Sequence, residues 1–220
     1  MGRRAQHTPD ELRRLILDAT RRIVENDGAP ELSARVIARE IGYAPGTLYN
    51  LFRNLDDILL QVEAELLEKL DKSLANAIDG RRTADAIRQF ASAYVGFAFE
   101  NARLWHLIQT HQPLMNGKPP PDQYLEKVFA PAARLEPLLA RITDNHDVET
   151  VTRTARLLWS AVHGVVQVAT TEKFGALPRA TTTAMVEELV ENYLIGISVT
   201  RDGDNSGEAP QKPPRARHAD

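Results

Sequence analysis

The chain has 220 residues, with 27 Lys+Arg against 30 Asp+Glu for a formal net charge of −3, 43% apolar and 26% charged residues, and no cysteine. That composition excludes a disulfide framework, a thiolate metal site and a thiol nucleophile, and no run approaches the roughly 18 consecutive apolar residues of a membrane span. The start, Met1 to His7, leads into a mixed charged helix and not into the apolar core of a signal peptide, so a cytoplasmic protein is expected. The length suits one large or two small domains. The near-neutral balance, taken alone, argues against a nucleic-acid partner.

In chain order, Thr8-Pro9-Asp10-Glu11 opens a helix over residues 8–26. Thr8 fits the N-cap, Pro9 the first helical position and Glu11 the third position of a capping box. Leu12, Leu15, Ile16, Ala19 and Ile23 keep the helical period, and Gly28 suits a left-handed stop. Ser33 caps a short second helix carrying Val36, Ile37 and Ile41, which Gly42 ends. A third helix of about two turns is expected from near Pro45 to Leu51. Asn54 then caps a long helix, with Asp56 and Asp57 in its first turn and an apolar run through Ile58, Leu59, Val62, Leu66, Leu70 and Leu74 to Ile78. Residues 83–100 carry a broad stripe of Ile87, Phe90, Ala91, Tyr94, Val95 and Ala98. Asn116 to Pro121 is the clearest internal loop. Residues 122–142 are helical by period, and Pro131 and Pro137 are expected to kink or split them. Helices over 147–173 and 181–199 follow, and 201–220, rich in Pro, Gly and charge, is expected to be disordered. The fold class is all-α.

Three helices of unequal length, the second and third short and joined at Gly42, make a helix-turn-helix. Ala38 is small where the short helices approach. Val36, Ile37, Ile41 and Leu48 supply a core shared with the first helix, which leaves residues 44–50 to enter a major groove. The competing reading is an ordinary helical hairpin in a bundle. The residues favour the first: Leu32-Ser33-Ala34-Arg35-Val36-Ile37-Ala38-Arg39-Glu40-Ile41-Gly42, then Gly46-Thr47-Leu48-Tyr49 and Phe52, resemble the tetracycline repressor (TetR) family of transcriptional regulators over roughly residues 8–60. The resemblance implies a DNA-binding head over 1–55 and a ligand-binding and dimerisation domain over 56–200. It implies a homodimer on a palindromic double-stranded DNA operator, controlled by a small-molecule effector.

Carried onto this chain, the resemblance places Ser33 and Arg35 near phosphates, and Thr47 and Tyr49 on the DNA backbone. Tyr43, Ala44, Pro45 and Gly46 line the approach to the groove. Asn50 has two readings: its amide pairs with adenine N6 and N7, or it faces phosphate or solvent. The family usually has His where this chain has Leu51 and Lys where it has Leu55. Both usual residues touch phosphate, so a shallower salt dependence is expected, with Arg53 the nearest replacement cation. The first 22 residues hold six arginines and three acids. Arg3 and Arg4 read as a minor-groove arm or as a solubilising leader.

In the larger half, Phe90, Tyr94, Phe97, Phe99, Trp105, Tyr124 and Phe129 cluster with Met115 and His111. The candidate effector pocket is taken as Tyr94, Phe97, Trp105, His111, Phe129, Trp159 and His163, which suggests a hydrophobic or aromatic effector. His106 and His111 are five apart, a poor spacing for two ligands on one helical face, so no metal and no cofactor is expected. The string Trp159-Ser160-Ala161-Val162-His163-Gly164 resembles the WHG-type carboxy-terminal domain of one branch of the same family. His163 is then either a ligand contact or a core histidine hydrogen-bonded between helices.

Val151, Ala155, Leu158, Val162 and Val166 form one stripe; Met185, Val186, Leu189, Val190, Tyr193 and Ile197 form another. They either build a four-helix dimer interface through 147–173 and 181–199 or close the monomer. No nucleophile–base pair or phosphate-cradling loop supports catalysis, so no enzyme is expected. The leading reading is a ligand-responsive regulator, expected to be a repressor. Its rivals are an all-helical carrier or enzyme that kept the amino-terminal fold, and a DNA-bound structural protein with no effector.

Overall fold

The structure is a computed structural model that describes residues 7–112, 119–143, 147–171 and 175–205, and the regular structure among them is entirely helical. Thr8 starts α1 (Pro9–Asp27) with a complete capping box: its hydroxyl accepts from the Glu11 N–H at 3.3 Å, and the Glu11 carboxylate accepts from the Thr8 N–H at 2.8 Å. Gly28 has the positive φ expected of it, but its ψ of 167° lies outside the left-handed helical well, and the chain passes into a short 3-10 turn at Ala29–Glu31.

Ser33 caps α2 (Ala34–Glu40) by accepting from the Val36 N–H at 3.3 Å. Gly42, at φ +74°, ends it in a Schellman arrangement, with the Tyr43 N–H on the Ala38 carbonyl at 2.9 Å and the Gly42 N–H on that of Arg39 at 3.2 Å. One turn, α3 (Pro45–Leu48), follows, shorter than the two turns expected. Past Leu48 the ladder tightens, with the Asn50 N–H on the Thr47 carbonyl and that of Leu51 on Leu48. This brings Phe52, 2% exposed, into the same core as Leu48.

Asn54 caps the 24-residue α4 (Leu55–Ile78) by accepting from the Asp57 N–H at 2.9 Å. The body adds α5 (Thr83–Glu100), α6 (Ala102–Thr110), α7 (Asp122–Thr143), α8 (Val148–Thr170) and α9 (Arg179–Asn205). The spine is α4, packed on α1, α5 and α7; α7 lies on α8, and α9 covers α5 and α8. A single apolar cluster runs from Ile16 and Leu48 in the head through Leu70, Phe90 and Leu158 to Val190.

Three expectations are corrected. Periodicity set out no separate helix at 102–110, because only Asn101 interrupts the apolar pattern between α5 and α6. Neither Pro131 nor Pro137 splits α7. Each removes a ladder bond, and the burial of Ala132, Leu135, Leu138 and Leu139, with Lys127 on Glu68 and Arg134 on Asp71 of α4, holds the helix across both. The last helix continues to Asn205, into the segment expected to be disordered; the rest of that segment, 206–220, lies outside the described residues, as do residues 116–118 of the expected loop.

Candidate DNA interface and effector site

Fully buried Leu48 pins α3 against Ile37 and Ala38, and that anchoring turns the rest of the short helix outward. Ala44, Pro45 and Gly46 are exposed, Thr47 is half-buried, and Tyr49 (51% exposed) and Asn50 project from the turn that follows. A Cβ on Gly46 would meet no atom within 4 Å, so the space in front of this backbone is open to a partner. Arg35 is exposed on α2, while the half-buried Ser33 already uses its oxygen as a cap and retains its O–H as a donor. Tyr43 is half-buried, with its hydroxyl 2.7 Å from His7 Nδ1. The Arg53 side chain is 84% exposed, while its backbone N–H is held by Asp57 at 3.0 Å. Tyr49, Asn50 and Arg53 border one open hollow of about 460 Å³. Leu51 and Leu55, which replace the family's usual cations, are partly buried against the core.

The arginines of α1 are engaged within the protein. Arg13 donates to the Leu51 carbonyl at 2.8 Å and to Gln61 at 2.9 Å, and its guanidinium lies 4.5 Å from the centre of the Phe52 ring. Arg14 and Arg21 both pair with Glu65 of α4, and Arg22 lies 3.6 Å from Glu40 of α2. These side chains therefore assemble the head rather than form a bare cationic face. Arg3 and Arg4 lie outside the described residues. Sequence reasoning missed Arg13 because nothing in its spacing separates it from its neighbour Arg14.

In the body, five of the seven expected pocket residues meet. Tyr94, fully buried on α5, packs its ring 4.7 Å from Trp159 and 5.6 Å from Trp105, and Phe97 lies 6.3 Å from Trp105. The Tyr94 hydroxyl is 2.7 Å from His163 Nδ1, on the ring facing Trp159. Burial pushes the tyrosine's pKa up and the histidine's down, which keeps both neutral at pH 7. Gln109 Nε2, one helical turn beyond Trp105 on α6, is a buried donor without a hydrogen-bond partner; the Trp105 N–H faces the Tyr94 hydroxyl and lowers its pKa against the larger effect of burial. Two expected members stand elsewhere. Phe129 is 53% exposed with the Arg156 guanidinium 5.7 Å over its ring, because its position on α7 faces away from the core. His111 joins a different cluster; Met115 lies outside the described residues.

That cluster centres on Glu63, 2% exposed in the middle of α4. Its Oε1 is 2.6 Å from His111 Nδ1 and its Oε2 accepts from the Tyr124 hydroxyl at 2.8 Å, while His111 Nε2 lies 3.3 Å from Asp56 Oδ1. Burial alone would lower the His111 pKa; the hydrogen bonds and charges of Glu63 and Asp56 outweigh it and hold the imidazolium above its ordinary range. The sequence did carry a signal for this group. Glu63 falls four residues after Leu59, three before Leu66 and seven before Leu70, so it is a carboxylate on the apolar face.

The outer face of α8 and α9 divides the two expected stripes. Val151, Ala155, Leu158, Val162 and Val166 are all buried and close the monomer, as do Val186 and Val190. Leu157 (61% exposed) and Met185 (41%) instead line a shallow groove of about 680 Å³ with Ala161, Val165, Leu189 and Tyr193. Among the described residues no helix is long and apolar enough to cross a membrane, and no group of three or more His, Asp or Glu is placed to hold a metal ion.

Residues 16–62 match the family described as bacterial regulatory proteins, tetR family, and residues 87–193, which include the Trp159 to Gly164 string, match the tetracyclin repressor-like C-terminal domain. The chain is 29% identical over 100 residues to the uncharacterized HTH-type transcriptional regulator YobS of Bacillus subtilis, covering 44% of this chain and 52% of YobS. It is 32% identical over 75 residues to the HTH-type nicotine-responsive transcriptional repressor HdnoR of Paenarthrobacter nicotinovorans, covering 34% of this chain and 39% of HdnoR. It thus spans about half the length of the first relative and about two fifths of the second. Among solved structures, the transcriptional regulator FadR from Bacillus subtilis in complex with stearoyl-CoA superposes with a TM-score of 0.63 at 16% identity, over 83% of this chain and 98% of FadR.

Proposed function

We infer that this chain, which belongs to the TetR family of transcriptional regulators, is a repressor that works as a homodimer on a palindromic operator and is modulated by a small molecule. The observation that carries the reading is the turn from Ala44 to Asn50. Its one buried anchor, Leu48, holds the remaining side chains outward, where none is needed for the core. In this reading α3 enters the major groove and Asn50 reads a base edge. Ser33, Arg35, Thr47, Tyr49 and Arg53 contact the backbone, and Tyr43, Ala44, Pro45 and Gly46 line the approach to the groove.

The apolar groove between α8 and α9 would pair with its own copy. That isologous contact matches the two-fold symmetry of a palindrome. The effector would bind at the aromatic group of Tyr94, Phe97, Trp105, Trp159 and His163. One relative is described as a nicotine-responsive repressor and one fold neighbour was crystallised with stearoyl-CoA, so small molecules of different chemistry are associated with such proteins. Here the unpartnered donor Gln109 Nε2, one turn beyond Trp105, favours an apolar molecule that carries a hydrogen-bond acceptor.

Selection of bound sites from fragmented genomic DNA tests the function. The purified protein is expected to enrich a palindrome, and Thr47→Ala with Asn50→Ala to abolish the enrichment. No enrichment at low salt would overturn the reading.

A further inference from the structure

Asp56 and Glu63 are seven residues apart on α4, so they stand two turns apart on one face. The His111 imidazole spans them, one nitrogen to each carboxylate. Its side chain is only 8% exposed, and it sits at the C-terminal end of α6, where its backbone N–H closes the helix on the Leu107 carbonyl. From α7, Tyr124 donates its hydroxyl to the second Glu63 oxygen. Among the described residues the titratable groups facing His111 are therefore Asp56 and Glu63 on α4 and, through Glu63, Tyr124 on α7. Asp56 lies in the first turn of α4, two residues from the Asn54 cap and next to Asp57, which binds the backbone of Arg53. The cluster thus joins the end of α6 to the point where the body meets the helix-turn-helix.

We propose that His111, Asp56 and Glu63 form a proton-operated latch, closed when the imidazole carries its proton, that ties the end of α6 to the first turns of α4. The chemistry of the two nitrogens requires two states. As imidazolium, His111 donates from both Nδ1 and Nε2, and two carboxylates accept. When it gives one proton to solvent, only one N–H remains, and a nitrogen lone pair then faces a carboxylate lone pair. The shorter bond to Glu63, at 2.6 Å, is the one that keeps its proton, so the 3.3 Å contact to Asp56 is the one that opens. The direction follows from the raised pKa: the latch stays closed as pH rises past the point where an ordinary histidine loses its proton, and it opens as pH passes through the higher value of the folded protein. The latch is a property of the fold; only its consequence for operator affinity rests on the regulator reading.

NMR titration of the His111 ring in the full chain, together with hydrogen exchange of the amides of residues 55–63 from about pH 5 to about pH 9, tests it. The ring is expected to titrate above 6.5. After correction for base catalysis, exchange should rise roughly tenfold through that same pH, a step absent in His111→Gln and moved to lower pH in Glu63→Gln. A ring that titrates at or below 6.5, which the wild-type chain alone reveals, would overturn the proposal; so would exchange profiles of wild type and His111→Gln that superimpose. Neither readout needs DNA. A step in exchange with no specific DNA binding at any pH supports the latch and removes the regulator reading instead.

Discussion

Head and body treat polar side chains in opposite ways. In the turn after α3 the polar groups, Tyr49 and Asn50, stand in solvent and the core is closed without them. In the body they are inside: Glu63 and Tyr94 are buried, and His111 and His163 are each bound to a buried partner. The difference teaches that in the head the residues proposed to recognise DNA are separate from those that close the core. In the body the groups that would sense a ligand or a proton are the ones that hold helices together.

Glu63→Ala presses hardest on that contrast. It leaves the His111 cation and the Tyr124 hydroxyl without their acceptor, and is expected to cost about 3–5 kcal/mol in urea denaturation. A loss below 1 kcal/mol would show the cluster to be more hydrated than its burial says. On the body's outer face, Leu157→Arg with Met185→Arg should turn the proposed dimer into a monomer by light scattering while leaving the helical circular dichroism unchanged. In the head, Asn50→Ala should weaken operator binding by about 1–3 kcal/mol and alter stability by less than about 0.5 kcal/mol. A larger change in stability would erase the distinction between the two regions.

The two histidines sharpen it further. The His163 pKa is depressed by burial, so below the ordinary value near 6.5 the unfolded chain takes up a proton that the folded one refuses, and stability falls as pH falls. His163→Gln should flatten that acid limb in urea midpoints between about pH 7 and pH 5. His111 acts with the opposite sign, losing its contribution as pH rises. The smallest expected effect is on salt: without the two usual phosphate contacts at Leu51 and Leu55, the log–log slope of operator binding should be shallower by about two per subunit, and Leu51→His should restore about one.

Local chemistry made the head legible. Thr8 and Glu11, Ser33, Gly42 and Asn54 each act through atoms within a few residues, and each lies where its capping geometry predicts. The body was legible as helices but not as contacts. His111 and Phe129 were grouped with Tyr94 because aromatic character is visible in sequence and facing is not. Likewise the Val151 to Val166 stripe has the right period for burial, and period does not say whether the burying surface belongs to the same chain. Nor does the arginine surplus of residues 1–22 reveal its pairing, since Glu65, the partner of Arg14 and Arg21, is more than forty residues away.

Those Glu65 pairs bear on how interchangeable the head is. A hybrid regulator made by cutting at residue 55 would carry Arg13, Arg14 and Arg21 away from Gln61 and Glu65, leaving three arginines against whatever the new body offers at those positions. A graft whose junction lies beyond residue 65 would transfer the arginines together with their partners. In this chain the unit that can be exchanged intact is therefore the head plus three turns of the spine on which it sits.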